Sequence, residues 1–262
     1  MLLAVDVGNT QTVIGMYGPE GQGDLVHHWR VATVPERTAA EHAMLVAQLL
    51  DLDGRKAGEE VTGIAVCSVV PRVTSALRQM IDRWYEVPAV VLEPGTRTGM
   101  PILYDNPKEV GSDRIADAVG AHDLYGCPCI VVDFGTATTV DAVSAKGEYL
   151  GGAILPGLEI SLDALFERAA ALRRTELAEP RRLIGRSTVD SIRSGAVYGF
   201  SAAVDGLCRR MDAEVGPATV VATGGLAEFL APLTESIQYV EPWLTLHGLR
   251  LIYRRNLPRE SL

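Results

Sequence analysis

Two aspartates end apolar runs of nearly the same form, Asp6 in LLAVDVGNT and Asp133 in CIVVDFGTATT. Glycine follows two residues later in each, and then a residue carrying a hydroxyl or an amide: Asn9 and Thr10 in the first copy, Thr136 in the second. Such a turn lets backbone N–H groups and hydroxyls reach phosphate oxygens with no Cβ in the way. A carboxylate at the end of a buried strand is costly unless it is paired or holds a cation, so two in register point to a metal-borne anion. Aspartate also caps turns before glycine, and a single copy would suggest no more than that. A third turn, Thr223-Gly224-Gly225 after ATVVA, would admit a flat ring or a phosphate to a helix N-terminus. Three glycine turns after apolar strands describe a nucleotide cleft.

Gly111-Ser112-Asp113-Arg114 is a different constellation. An Asp beside an Arg at a helix start is held ionised by its neighbour and by the helix dipole, and can then accept a hydroxyl proton. Arg114 can grip a carboxylate in a planar two-point contact that Lys cannot match. The same four residues also read as an N-cap Asp beside a solvated Arg.

These residues need strands and helices to hold them. LLAVDV, QTVIGMYG and DLVHHWRVAT predict three successive antiparallel strands. Helical spacing predicts a helix over 38–50, then a buried strand in VTGIAVCSVV, a helix from Pro71 to about Tyr85 and a strand at 89–92. The stretch EPGTRTGMPILYDNPKEVGSDR is too long for a plain connector, and substrate chemistry is expected there. A helix over 113–124 leads into the second copy. With an offset of 127, Asp6 falls on Asp133, Val7 on Phe134, Gly8 on Gly135, Thr12 on Thr139 and Val13 on Val140, which predicts a duplicated lobe. Helices over 158–174 and 188–211 follow, then a strand in ATVVATGG and a helix, strand and helix to the end. The fold class expected is α/β, two lobes of mixed sheets flanked by helices, spanning 1–115 and 116–262.

Composition narrows the function classes. A net charge of -9 lacks the cationic term that drives nucleic-acid binding, so no nucleic-acid partner is expected. With 47% hydrophobic and 22% charged residues in periodic segments, the chain reads as globular. The N-terminal MLLAVDVGNT has no basic leader and is too short in its apolar run for a signal peptide or a membrane span, so a cytoplasmic location is expected. Four cysteines without CxxC spacing suggest neither a disulfide framework nor a zinc site. His27, His28, His42 and His122 are scattered and read as surface or helix histidines.

DVGNT at 6–10, GSDR at 111–114, DFGTATT at 133–139, GGAILPG at 151–157 and TGG at 223–225 occur in order. Together they resemble the type III pantothenate kinases, members of the superfamily of acetate and sugar kinases, Hsp70 and actin. The resemblance runs from Leu2 to about Asn256. It implies two lobes of duplicated ribonuclease H-like (actin-like ATPase) topology, and transfer of the γ-phosphoryl group of ATP to pantothenate. It also implies a role for each matching position. Asp6, Val7, Gly8, Asn9, Thr10, Gln11, Thr12 and Val13 correspond to the first phosphate loop, with Asp6 near Mg²⁺ through an indirect contact. Thr136 corresponds to an ATP contact in the second loop, and Asp133 to the ligand of an activating monovalent cation, K⁺ or NH₄⁺. Gly111, Ser112, Asp113 and Arg114 correspond to the pantothenate-binding stretch, with Asp113 as proton acceptor. Tyr104 and Thr188 match further substrate contacts, Thr188 being presented across the interface of a homodimer. Ser112 departs from the family, where alanine is expected, as does His247, where an acidic residue is common. Two other readings stay open on the same architecture. One is a kinase for another small acid or sugar, against which Tyr104 and GSDR stand together. The other is a non-catalytic nucleotide-binding regulator, whose mark would be loss of Asp6, Asp113 or Asp133; all three are present.

Overall fold

The computed structural model of the chain describes residues 1–169 and 171–257, so the expected limit of the second lobe at 262 lies outside the described residues. Two compact units emerge: Met1–Gly120 together with the chain from Leu244 onward, and Ala121–Trp243.

In the first unit, β1 (Leu2–Val7), β2 (Gln11–Tyr17) and β3 (Leu25–Ala32) make the antiparallel series read from the sequence. Helices α1 (Ala39–Leu52) and α2 (Ala57–Glu60) lead to β4 (Gly63–Ser68), which lies parallel to β1 on its other side. Helix α3 (Pro71–Met80), extended by a π-helical turn over Ile81–Tyr85, leads to β5 (Ala89–Val91) beside β4. Helix α4 (Ser112–Tyr125) follows the long loop. Neighbours on both sides explain the composition of β1, in which every residue but Asp6 is buried, while the edge strand β3 alternates. Thr38 and Glu41 close a reciprocal capping box at the start of α1, and Pro71 opens α3 where a missing N–H costs nothing.

The second unit repeats the plan with β6 (Cys129–Phe134), β7 (Ala137–Val143), β8 (Tyr149–Pro156), α5 (Leu158–Arg168), α6 (Thr188–Val215), β9 (Thr219–Thr223), α7 (Ala227–Leu230) and β10 (Tyr239–Val240). Strand order is β3-β2-β1-β4-β5 in one sheet and, counted in the same sense, β8-β7-β6-β9-β10 in the other. The likeness extends to an irregularity. The ladder slips between Met16 and Tyr17 in the first sheet and between Ala142 and Val143 in the second.

The uniform offset of 127 fails after the turn. Asp6 faces Val13 across the β1–β2 ladder, whereas Asp133 faces Thr139 across β6–β7, so the offset there is 126 and Thr12 corresponds to Thr138. Gly8, Asn9 and Thr10 join the first pair of strands, but only Gly135 and Thr136 join the second. A one-residue slip would send every side chain of β7 to the wrong face. Thr12 and Thr138 are accordingly both buried, at 6% and 1% exposure.

Other expectations change at element ends. The helix expected over 158–174 stops at Arg168, where Ala169 leaves helical geometry (φ -105°, ψ 88°); residue 170 lies outside the described residues. The helix expected over 188–211 runs on to Val215, ended by Gly216 at φ 91°. The lobe limits of 1–115 and 116–262 also differ from the division observed, because the final helix α8 (Leu244–Asn256) belongs to the first unit. Its apolar face of Leu246, Leu249, Ile252 and Tyr253 is buried. Glycines make the room: a Cβ at Gly15 would strike Leu246, one at Gly63 the Tyr253 ring, and one at Gly248 the Ala116 carbonyl of α4. Arg255 donates to the Thr98 carbonyl at 2.6 Å and Asn256 to the Arg97 carbonyl at 2.9 Å, so the helix also pins the loop before α4.

Candidate active site

Asp6 is the half-buried last polar residue of β1. The parallel ladder sets it directly against Cys67 of β4, whose thiol donates to Asp6 Oδ1 at 3.2 Å. Burial first of all, and then Asp113, raise the Asp6 carboxyl while the Cys67 hydrogen bond and Arg30 pull it down, and the balance stands at about 7. Asp6 and Asp113 therefore lie close enough to feel each other. Asp117, one helical turn beyond Asp113 on α4, is buried at 3% exposure, and with Asp6 and Asp113 it surrounds the Cys67 thiol with negative charge.

The start of α4 is fixed from β4. The Ser68 N–H donates to Ser112 Oγ at 3.1 Å, and the Ser112 hydroxyl donates to the Ser68 carbonyl at 3.3 Å. Ser112 thus anchors the helix that carries Asp113. Asp113 accepts the Arg114 N–H on Oδ1 at 2.8 Å and remains half-buried. Arg114 is 8% exposed, which removes the reading of it as a solvated first-turn arginine.

The stretch Asp6 to Val13 divides into parts. Asn9, Thr10 and Gln11 are exposed, whereas Val7 lies in the core and Thr12 is buried, so those two hold the loop rather than face a ligand with their side chains. Thr33, which the sequence did not single out, clamps it: its hydroxyl donates to the Gly8 carbonyl at 2.8 Å, pairs with the Thr12 hydroxyl at 2.8 Å, and its N–H donates to Thr10 at 3.0 Å. The Gly8 N–H closes the turn on the Gln11 carbonyl at 3.0 Å.

In the second unit, Asp133 is half-buried at the end of β6 and Thr136 is exposed in the short turn. Gly157 of GGAILPG donates its N–H to the Thr136 carbonyl at 3.1 Å, and a Cβ there would strike the Gly135 and Thr136 carbonyls. The TGG turn has a local purpose: a Cβ at Gly224, whose φ is 93°, would collide with Asp133 Oδ1 and the Phe134 backbone. That glycine is required by the neighbouring carboxylate, before any ligand is considered.

Tyr104 is half-buried on the long loop, and Thr188 is exposed in the first turn of α6 beside the N-cap Ser187, which accepts the Asp190 N–H at 3.1 Å. A hollow of about 970 Å³ within the first unit is lined by Ser68, Pro71, Arg78, Lys108, Gly111 and Ser112, among others. Two of the expected pantothenate-stretch residues thus border open space of small-molecule size.

Among the described residues, no three His, Cys, Asp or Glu side chains form a group that could hold a metal ion by themselves. Mg²⁺ does not need one, since it keeps several waters and takes one or two carboxylates with phosphate oxygens. A carboxylate raised by burial and by a second acid, as Asp6 is, suits a cation that arrives with its own water and phosphate ligands. Among the described residues, no helix is long and apolar enough to cross a membrane.

A sequence profile described as type III pantothenate kinase matches residues 2–210. The chain is 54% identical to the type III pantothenate kinase of Streptomyces avermitilis, covering 99% of this chain and 100% of that one. It is 53% identical to that of Thermobifida fusca, covering 98% and 100%. Among solved structures it resembles a Baf family transcriptional activator from Campylobacter jejuni, with TM-score 0.61, 20% identity, and 99% and 100% of the two chains covered. A ROK family glucokinase from Streptomyces griseus, solved with glucose and AMPPNP, matches with TM-score 0.51, 15% identity, and 97% and 99% coverage. Identities this low speak for the fold alone, which is that of the sugar kinases and actin-like ATPases.

Proposed function

The chain belongs to the type III pantothenate kinase family, and we propose from that membership the roles of its own residues in transferring the γ-phosphoryl group of ATP to the hydroxyl of pantothenate, giving 4′-phosphopantothenate, the first step of coenzyme A biosynthesis. The observation that carries the assignment is the pair Asp6 and Asp113, one at the end of β1 and one in the first turn of the helix that Ser112 ties to Ser68 of β4, close enough that Asp113 raises the Asp6 carboxyl.

Asp113 accepts the proton of the attacking hydroxyl. It stands in the first turn of α4, where the helix dipole favours its carboxylate, and the Ser112–Ser68 bonds fix the helix start that holds it. Arg114 and Tyr104 bind the pantothenate carboxylate and orient the hydroxyl, with Gly111 and Ser112 forming the adjoining wall. Exposed Asn9, Thr10 and Gln11 and the N–H groups of the first turn receive phosphate oxygens, as does Thr136 from its own turn. Asp6 would stand nearest the Mg²⁺ that accompanies ATP, an ion that would supply charge neutralisation for the transferring group. Asp133, whose carboxylate is packed on glycine backbone, would hold the monovalent cation, K⁺ or NH₄⁺. Phosphoryl transfer asks chiefly for such positioning and charge neutralisation.

The protein acts as a homodimer in the cytoplasm. Exposed Leu183, Ile184 and Val189, at 67%, 78% and 42%, flank Thr188 and supply an apolar surface for a second copy. The decisive test is ATP-dependent phosphorylation of pantothenate against acetate and hexoses, with K⁺ varied. Turnover of pantothenate alone, stimulated by K⁺, is expected. Preference for another acceptor would replace the substrate, and nucleotide binding without turnover would make the chain a regulator.

A further inference from the structure

We propose that Cys67 is a positioning residue of this reaction: from the strand beside Asp6, its thiol holds the carboxylate in the orientation that meets the metal-bound nucleotide. The inference rests on the reading of Asp6 as the residue nearest that metal. Parallel pairing puts Asp6 and Cys67 at the same step of the β1–β4 ladder, so their side chains leave the sheet on one face. The bond at 3.2 Å reaches Oδ1, which fixes the rotation of the carboxylate about its last torsion. Cys67 is fully buried and its sulfur faces a carboxylate oxygen, which can only accept, so the thiol is the donor of the pair.

The second copy repeats the arrangement with a different donor. The β6–β9 ladder sets Asp133 against Thr223 at the equivalent step, and Thr223 is 3% exposed. A small side chain able to donate thus stands beside the strand-end carboxylate in both sheets, although one is a thiol and the other a hydroxyl. The next residue of β4, Ser68, holds the helix of Asp113 through Ser112. The end of β4 therefore sets both acids.

The test compares Cys67→Ala, Cys67→Ser and Asp6→Asn in the full chain, by steady-state kinetics with Mg·ATP and pantothenate varied separately, and by thermal melting. Loss of a hydrogen bond to a charged group predicts that Cys67→Ala raises KM for Mg·ATP roughly tenfold. The KM for pantothenate should stay within about twofold and the melting temperature close to the parent's, and Cys67→Ser should restore the parent KM. An unchanged KM for Mg·ATP in Cys67→Ala, an equal rise for both substrates, or failure of serine to restore it overturns the proposal. Asp6→Asn separates the two levels. If it leaves KM for Mg·ATP unchanged, the reading of Asp6 itself fails; if it raises that KM while Cys67→Ala is silent, only the role of Cys67 is lost.

Discussion

Each acid of the site has its own expected signature. Asp113→Asn should lower kcat by roughly 10²-fold or more, the general-base range, with KM for Mg·ATP nearly unchanged in the same assay. Near-normal kcat would end its role as proton acceptor. Asp6 is placed at a cost in stability. With its folded-state value raised to about 7, the unfolded chain ionises this carboxyl first, so stability falls as pH rises from the usual carboxylate range to about 7 and levels off above. Asp6→Asn removes that loss, and the ligand-free variant should melt several degrees higher than the parent at pH 8. A variant that melts lower would show that the carboxylate is stabilising where it stands. Asp6, Asp113 and Asp133 stand out in the sequence as candidates because each sits in a short local pattern. Cys67 and Thr33 do not, because each acts across a ladder pairing, and nothing within a few residues of either records its partner.

Elements were legible wherever periodicity ran unbroken, as in β1, α1 and α6, and misjudged where a single residue decides an end or a register. The repeat was visible in the strand-end carboxylates, yet the missing residue in the second turn was not, since Thr138 and Thr139 are the same residue type and either could stand for Thr12. Burial settles it. The seat of α8 was hidden for another reason: its partners lie in strands far back in the chain, and their only local trace is glycine where a strand would favour a larger residue. Gly248 tests that fit. Alanine in an exposed helix would stabilise by roughly 1 kcal/mol over glycine. Here its Cβ meets the Ala116 carbonyl, and Gly248→Ala should instead cost about 1–3 kcal/mol in urea unfolding, and lower activity by shifting the helix of Asp113. A neutral result would mean that α4 and α8 separate easily.

At the scale of the molecule, the proposed dimer predicts complementation. Asp113→Asn and Thr188→Ala chains, each impaired alone, should regain activity when mixed under conditions that exchange subunits, and no recovery would argue against sites shared between copies. The duplicated architecture could be read from two aspartates, but the path of the chain could not, because the first unit takes its last helix from beyond the second. Ribosomes make proteins from one end, so the half synthesised first is completed last. Until Leu244–Asn256 emerges, the young sheet around Gly15 and Gly63 waits with an apolar flank bare while the whole of Ala121–Trp243 is translated and free to fold. Completion of the unit that holds Asp6 and Asp113 is thereby tied to the synthesis of α8, and a nascent fragment that stalls before it holds both residues without the brace that finishes their fold.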